Sequence, residues 1–383
     1  MNKLVIIFCI LLSIGASAQE GIQFDHSSWN EVKAKAAKEN KLIFVDFYTQ
    51  WCGPCLAMAE DVFVLESVGN FFNANFINAK IDAENGEGIE LAKRYGVRSY
   101  PTFAFIDPKT DQAVHTSGSR QDKETFLFTA KSALDPQKRS IFLEEQMKKG
   151  NSSPEFLMDF ACYAASRYNR DAVDKIAETL AKTSGYSLEN EKVWALFSKS
   201  ISGRSSSYFK ELVNNYASLS KKYGQKAVDG KLFKEFNFCP DEAEFDAVPS
   251  FKGKDFLKQK NKADKLVKEK KFNEAALVID PLMANPGDYK DELCVFLYFT
   301  SRMIWYGEYP EYWVKKCLSY AQYAAYNYSD RRDVTYHHEY ALQLERMLKA
   351  MPDAVKYIPE SILKAGSRDY NLRSPLLKSK PVK

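Results

Sequence analysis

Residues 42–55 read Leu42-Ile43-Phe44-Val45-Asp46-Phe47-Tyr48-Thr49-Gln50-Trp51-Cys52-Gly53-Pro54-Cys55. The first seven residues are a near-continuous apolar run, the pattern of a central strand buried on both faces of a sheet. Residues 56–65 read as a helix, so the cysteine pair lies at a strand-to-helix turn. Cys52 then stands at the helix N-terminus, where open N–H groups and the macrodipole favour a thiolate. Cys55, three residues on, comes round to the same face within reach of the first sulfur. So close a pair shuts too short a loop to stabilise a fold as a cross-link. Zinc would need two more ligands, and no second CxxC or CxxH occurs in the chain. The expectation is a redox-active disulfide, Cys52–Cys55, with no metal and no other cofactor.

Upstream, Ser28-Trp29-Asn30-Glu31 is a capping-box pattern that opens a helix with Trp29, Val32 and Ala36 on one face. Residues 76–82 read as the next strand and 86–95 as a helix. Tyr100-Pro101-Thr102 then leads into a strand pair, 102–107 and 113–116. Asp122 opens a last helix with Phe126, Leu127, Ala130 and Leu134 on one side. The predicted order over 21–135 is β-α-β-α-β-α-β-β-α.

Taken together, WCGPC after an apolar strand and Tyr-Pro-Thr about 45 residues later resemble the thioredoxin family. The resemblance implies an α/β thioredoxin fold, a mixed sheet flanked by helices, and a cis-proline at Pro101. The stretch 29–63 is similar to a periplasmic subgroup that includes the C-terminal domain of the transmembrane disulfide reductase. Lys41, Val45-Asp46-Phe47, Met58 and Asp61-Val62-Phe63 carry that likeness.

Roles follow from the resemblance residue by residue. Cys52 is the expected nucleophile and Cys55 the resolving thiol. Asp46, a lone carboxylate in an apolar strand, is the expected proton acceptor for Cys55 through water, since burial raises its pKa. Lys80 falls where thioredoxins keep a lysine paired with that acid. The substrate surface is expected from Trp51, Gly53, Pro54, Tyr100 and Pro101, with the Tyr100 backbone open to an extended partner strand. A Gly-Pro pair between the cysteines resembles reducing thioredoxins, so reduction or isomerisation is expected over net dithiol oxidation.

The rest of the chain bounds where this chemistry runs. Lys3, the apolar run 4–14 and Ala16-Ser17-Ala18 read as a signal peptide over residues 1–18, too short for a membrane span. The mature protein is expected to start near Gln19, exported and periplasmic. Its expected partners are exported proteins bearing disulfides or thiols, and a membrane-borne electron donor to recharge it. A net charge of +4 over 383 residues gives no sign of nucleic acid as a partner.

After a thioredoxin-like domain at 19–138, residues 139–383 read as an all-α, loosely solenoid-like domain of helical hairpins, with a sub-boundary near 240–255. Residues 263–286 resemble one tetratricopeptide helix pair, fewer than a solenoid needs. This part is expected to bind a protein partner. The alternative to the enzyme is a helical scaffold whose thioredoxin domain serves assembly. Cys162 and Cys294 sit in apolar helical runs as expected buried thiols, while a Cys239–Cys317 bridge stays open. The aromatics of 296–328 are expected in helix–helix core more than in a groove.

Overall fold

The computed structural model describes residues 21–238, 241–330 and 335–350. The expected leader at 1–18 and Cys239 lie outside these residues. The chain falls into two compact units, one ending at Leu212 and the next beginning at Val213. The expected change from sheet to helices at 138/139 therefore lies inside the first unit.

That unit begins with α1 (Trp29–Glu39), β1 (Leu42–Tyr48), α2 (Gly53–Asp61), α3 (Glu66–Asn75), β2 (Phe76–Asp82) and α4 (Gly88–Arg94). It continues with β3 (Thr102–Asp107), β4 (Gln112–Gly118) and α5 (Lys123–Leu134). The strands lie in the order β2-β1-β3-β4, with β1 parallel to β2 and antiparallel to β3, and β4 antiparallel to β3. The sheet is mixed, and β1 is central because its residues are apolar on both sides. One face carries Ile43, Val45 and Phe47 against Trp29, Val32 and Ala36 of α1 and Leu91 of α4. The other carries Phe44, Phe103 and Phe105 against Met58 of α2, Val68 and Phe72 of α3 and Phe126 of α5. Phe72 and Phe126 stack with centroids 4.5 Å apart. Ser28 and Glu31 form the capping box at the start of α1, and Asn40 ends that helix at φ 51°.

Two local expectations change. The first predicted strand is reduced to a single parallel bridge, Asp25 to Ala79, made by the Asp25 N–H donating to the Asn78 carbonyl, while the Ile22 N–H goes to the Phe63 carbonyl where the chain bends. The helix expected over 56–65 stops at Asp61. Val62 and Phe63 turn into the core, both N–H groups donating to the Met58 carbonyl, and a further helix, α3, follows. Gly69 of α3 lets the N-terminal segment cross close by, since a Cβ there would stand 2.1 Å from the Gly21 carbonyl oxygen.

Helices α6 (Ser140–Lys148), α7 (Pro154–Ser166), α8 (Arg170–Leu180), α9 (Glu191–Lys199) and most of α10 (Ser207–Asn214) complete the first unit. They cover the edge strand β4. The Thr116 N–H donates to Ser140 Oγ at 3.0 Å, the Ser140 N–H donates to His115 Nδ1 at 2.9 Å, and Ser117 Oγ donates to the Ser166 carbonyl at 3.1 Å. An edge so occupied is closed to pairing with another chain.

The second unit holds α11 (Tyr216–Tyr223), α12 (Gln225–Phe236), α13 (Glu242–Asp246), α14 (Lys254–Lys268), α15 (Phe272–Ala284), α16 (Lys290–Arg302), α17 (Glu311–Asn327) and α18 (Thr335–Ala350). Sequential neighbours pack in pairs: α11 on α12, α14 on α15, α16 on α17, α17 on α18. The aromatic stretch divides between core and surface. Trp313 and Tyr320 are fully buried, with Phe272 stacked on Trp313 at 4.8 Å, while Phe299, Tyr312 and Tyr326 are exposed.

Candidate active site

β1 delivers the chain to the turn, which closes when the Cys52 N–H donates to the Thr49 carbonyl at 3.3 Å. Cys52 caps α2: its Sγ accepts from the Cys55 N–H at 3.1 Å. Pro54 sits in the first helical turn, where a missing N–H costs nothing. The two sulfurs are joined as a disulfide, S–S 2.04 Å, and both cysteines are buried. Gly53 and Pro54 face outward between them.

Around the dithiol the structure brings together the expected rim. Trp51 is 71% exposed, its Nε1 donating to Glu84 at 3.0 Å and its ring meeting Tyr100 edge-on at 6.0 Å. The Tyr100–Pro101 peptide is cis, and the buried Pro101 offers its carbonyl to the Ser119 N–H at 3.0 Å.

Strand alternation turns Asp46 to the same side as Phe44, the face covered by the buried residues Cys55 and Met58 of α2. Asp46 is completely buried and neither carboxylate oxygen has a hydrogen-bond partner. Loss of hydration pushes its pKa from 3.8 up to about 7, with the charge of Lys80 pulling the other way. Lys80 is the register partner of Asp46 on β2. Its ammonium, however, lies over the Tyr48 ring, 4.7 Å from the centroid, and makes no ion pair with the carboxylate. The expected pairing thus acts through the field of Lys80 and not through a hydrogen bond, because the Tyr48 face holds the cation.

Sequence reasoning missed three supports of this site. Glu84 fixes the Trp51 indole, Ser119 fixes Pro101, and the Gln121 N–H donates to Met58 Sδ at 3.2 Å. Each is a long-range partner with no local pattern to announce it.

Among the described residues three further cysteines remain, Cys162, Cys294 and Cys317, and Cys162 is half-buried where a buried thiol was expected. Burial pushes Cys162 up to about 12 and raises Cys317 as well, so neither is a thiolate at neutral pH. Cys317 is a free thiol; the pairing with Cys239 left open above falls outside the described residues. Cys294 is buried in α16.

Residues 22–131 match the model of the Thioredoxin family. Residues 22–131 are a thioredoxin domain. Over 70 residues the chain is 43% identical to Thioredoxin-1 of Drosophila melanogaster, which is 18% of this chain and 61% of that one. Against the protein disulfide-isomerase of the same fly, identity is 34% over 115 residues, 30% of this chain and 22% of that one. The solution structure of a candidate disulphide-isomerase from Bacteroides thetaiotaomicron is 40% identical, at TM-score 0.28, over 30% of this chain and 95% of that one. The chain thus spans about three-fifths of the fly thioredoxin and less of the isomerase.

Proposed function

We propose that the protein is an exported thiol–disulfide oxidoreductase that reduces or isomerises disulfides of extracytoplasmic proteins. The observation that carries this reading is the Cys52–Cys55 disulfide at the N-terminus of α2, with an unpartnered buried carboxyl, Asp46, on the sheet face beneath. In the reduced protein the Cys52 thiolate attacks a substrate sulfur. The substrate S–S bond breaks, one substrate thiolate leaves, and a mixed disulfide forms. Asp46, ionised at neutral pH in part, accepts the Cys55 proton through water. The Cys55 thiolate then attacks Cys52 Sγ, the second substrate thiolate leaves, and two electrons have passed to the substrate. A membrane-borne dithiol donor restores the reduced form. No redox cofactor beyond the two cysteines is required.

The test is insulin-disulfide reduction by the mature protein beside a Cys52→Ser variant. Wild type is expected to precipitate the insulin B chain with dithiothreitol as donor, and the variant to match the blank. Equal rates would remove the enzyme reading and favour the scaffold one. A Cys55→Ser variant is expected to hold mixed disulfides with exported proteins, and N-terminal sequencing of the secreted chain to begin near Gln19.

A further inference from the structure

We propose that the corner between α7 and α8, presented by Tyr168, is a wall of the substrate groove that reads the polypeptide flanking the reacting cysteine. This rests on the oxidoreductase reading above and names a part of the site contributed by the helices.

The loop 119–121 between β4 and α5 is tied on three sides. Toward the groove, the Ser119 N–H donates to the Pro101 carbonyl at 3.0 Å. Toward α2, the Gln121 N–H donates to Met58 Sδ at 3.2 Å and the Arg120 guanidinium pairs with Asp61 at 3.2 Å. Toward the helices, the Tyr168 hydroxyl donates to the Arg120 carbonyl at 2.8 Å, and Gln121 Nε2 donates to the Ser166 carbonyl at 3.2 Å. Gln121 Nε2 also donates to Ser117 Oγ at 2.7 Å, and Gln121 Oε1 accepts from Thr129 Oγ1 at 3.1 Å. Ser117, Gln121, Thr129 and Ser166 are all buried. A buried polar network satisfied at this many points fixes geometry, so the α7–α8 corner is held in register with the Pro101 loop.

Tyr168 stands on that corner at φ 55°, in the left-handed region, with its hydroxyl bound and the residue 55% exposed. A ring pinned by its polar atom and otherwise open costs little entropy to dock against. Trp51 is built the same way, its Nε1 held by Glu84 while its ring is open beside Tyr100. Two anchored aromatics therefore flank the Pro101 loop. Trp51 is on the Tyr100 side, and Tyr168 is beyond Ser119 and Arg120. From the Pro101 carbonyl to Tyr168 is two hydrogen bonds and the two residues Ser119 and Arg120, a reach on the order of 10 Å or about three extended residues. The occupant is an extended segment of the disulfide-bearing protein; a small disulfide ends before it reaches the ring.

The test compares two mixed disulfides of thionitrobenzoate with the reduced full-length protein. One carries N-acetylcysteine amide; the other carries a peptide with about five residues on each side of its cysteine. The readout is the long-to-short ratio of kcat/KM, with thermal melting as a control. Tyr168→Asn suits the left-handed backbone and keeps the fold; it is expected to lower that ratio about fivefold, the size of one lost aromatic contact. Tyr168→Phe keeps the ring and is expected to retain most of the ratio. An unchanged ratio in Tyr168→Asn would overturn the wall. So would an equal loss in Tyr168→Phe, which would assign the effect to the Arg120 bond and not to the ring. Wild type acting on neither probe would instead sink the oxidoreductase reading itself.

Discussion

Asp46 makes the first unit's stability depend on pH in a way that its burial determines. The carboxyl is fully buried with neither oxygen hydrogen-bonded, and its pKa rises from 3.8 to about 7. Between those two values the folded chain keeps a proton that the unfolded chain has lost, so stability falls as pH rises across that window. At 1.36 kcal/mol per pKa unit the full loss comes to about 4 kcal/mol above pH 7. Solvent does not screen the group, which is fully buried. Asp46→Asn removes the titration and leaves an amide of similar size, whose own burial cost is the same at every pH. The assay is urea unfolding of the oxidised protein from pH 3.5 to 8.5, followed by tryptophan fluorescence. Trp29, Trp51 and Trp194 report on this unit. The stability difference, variant minus wild type, is expected to be flat below about pH 4, to rise through pH 4–7 and to level off after that. A difference that stays parallel across the whole range would refute the buried, unpartnered state of the carboxyl. It would also remove the reason for giving Asp46 the Cys55 proton. The same substitution is expected to slow resolution of the mixed disulfide while sparing its formation, seen as accumulation of the substrate–Cys52 adduct.

Further outcomes follow from single contacts. His115 is buried, accepts from the Ser140 N–H, and is held down to about 3 from 6.5 by desolvation. The unfolded chain binds the proton first, so stability is expected to fall by about 3 to 5 kcal/mol as pH drops from 6.5 to 3, and His115→Asn to flatten that slope in acid titration. Phe72→Ala deletes the ring stacked on Phe126 and is expected to cost about 3–5 kcal/mol by urea unfolding. Gly69→Ala drives a methyl onto the Gly21 carbonyl and is expected to cost about 1–3 kcal/mol by the same measure. Trp51→Ala, at an exposed ring, is expected to change stability by less than about 0.5 kcal/mol. The same variant is expected to lower kcat/KM for insulin about threefold or more.

What could be read from the chain is what its chemistry states locally. The run 42–48 is apolar at every position but Asp46, so it announces a strand buried on both faces, and the lone acid announces itself as the site's odd group. Ser28 and Glu31 work within one helical turn, and their capping box was legible for that reason. By contrast α3, with Gly69 and three asparagines in ten residues, has poor intrinsic helix propensity; Val68 and Phe72 hold it in place from the core. The first strand failed as a prediction because its pairing is spent on a bend of the chain at Phe63 and one bridge at Ala79, neither of which periodicity can see. Glu84, Ser119 and Tyr168 were invisible for a related reason: each acts through a partner 18 to 48 residues away, so nothing near them in sequence marks them.

Hydrogen bonds cross the boundary expected at 138/139. Composition changes there, and a chain that stops making strands looks like the start of an independent domain. The edge strand β4 shows why the fold does not treat it so. Its Thr116 N–H and the Ser117 hydroxyl are satisfied by Ser140 and Ser166, and His115 is buried by accepting from Ser140. Cutting after residue 138 would expose that row and leave the imidazole without its partner, so the helices that follow complete the sheet as much as they extend it. The same covering brings the α7–α8 corner to the loop that holds Pro101. An element that seals the sheet edge thereby reaches the loop that holds Pro101, and this is the ground for proposing that the Tyr168 ring meets the substrate.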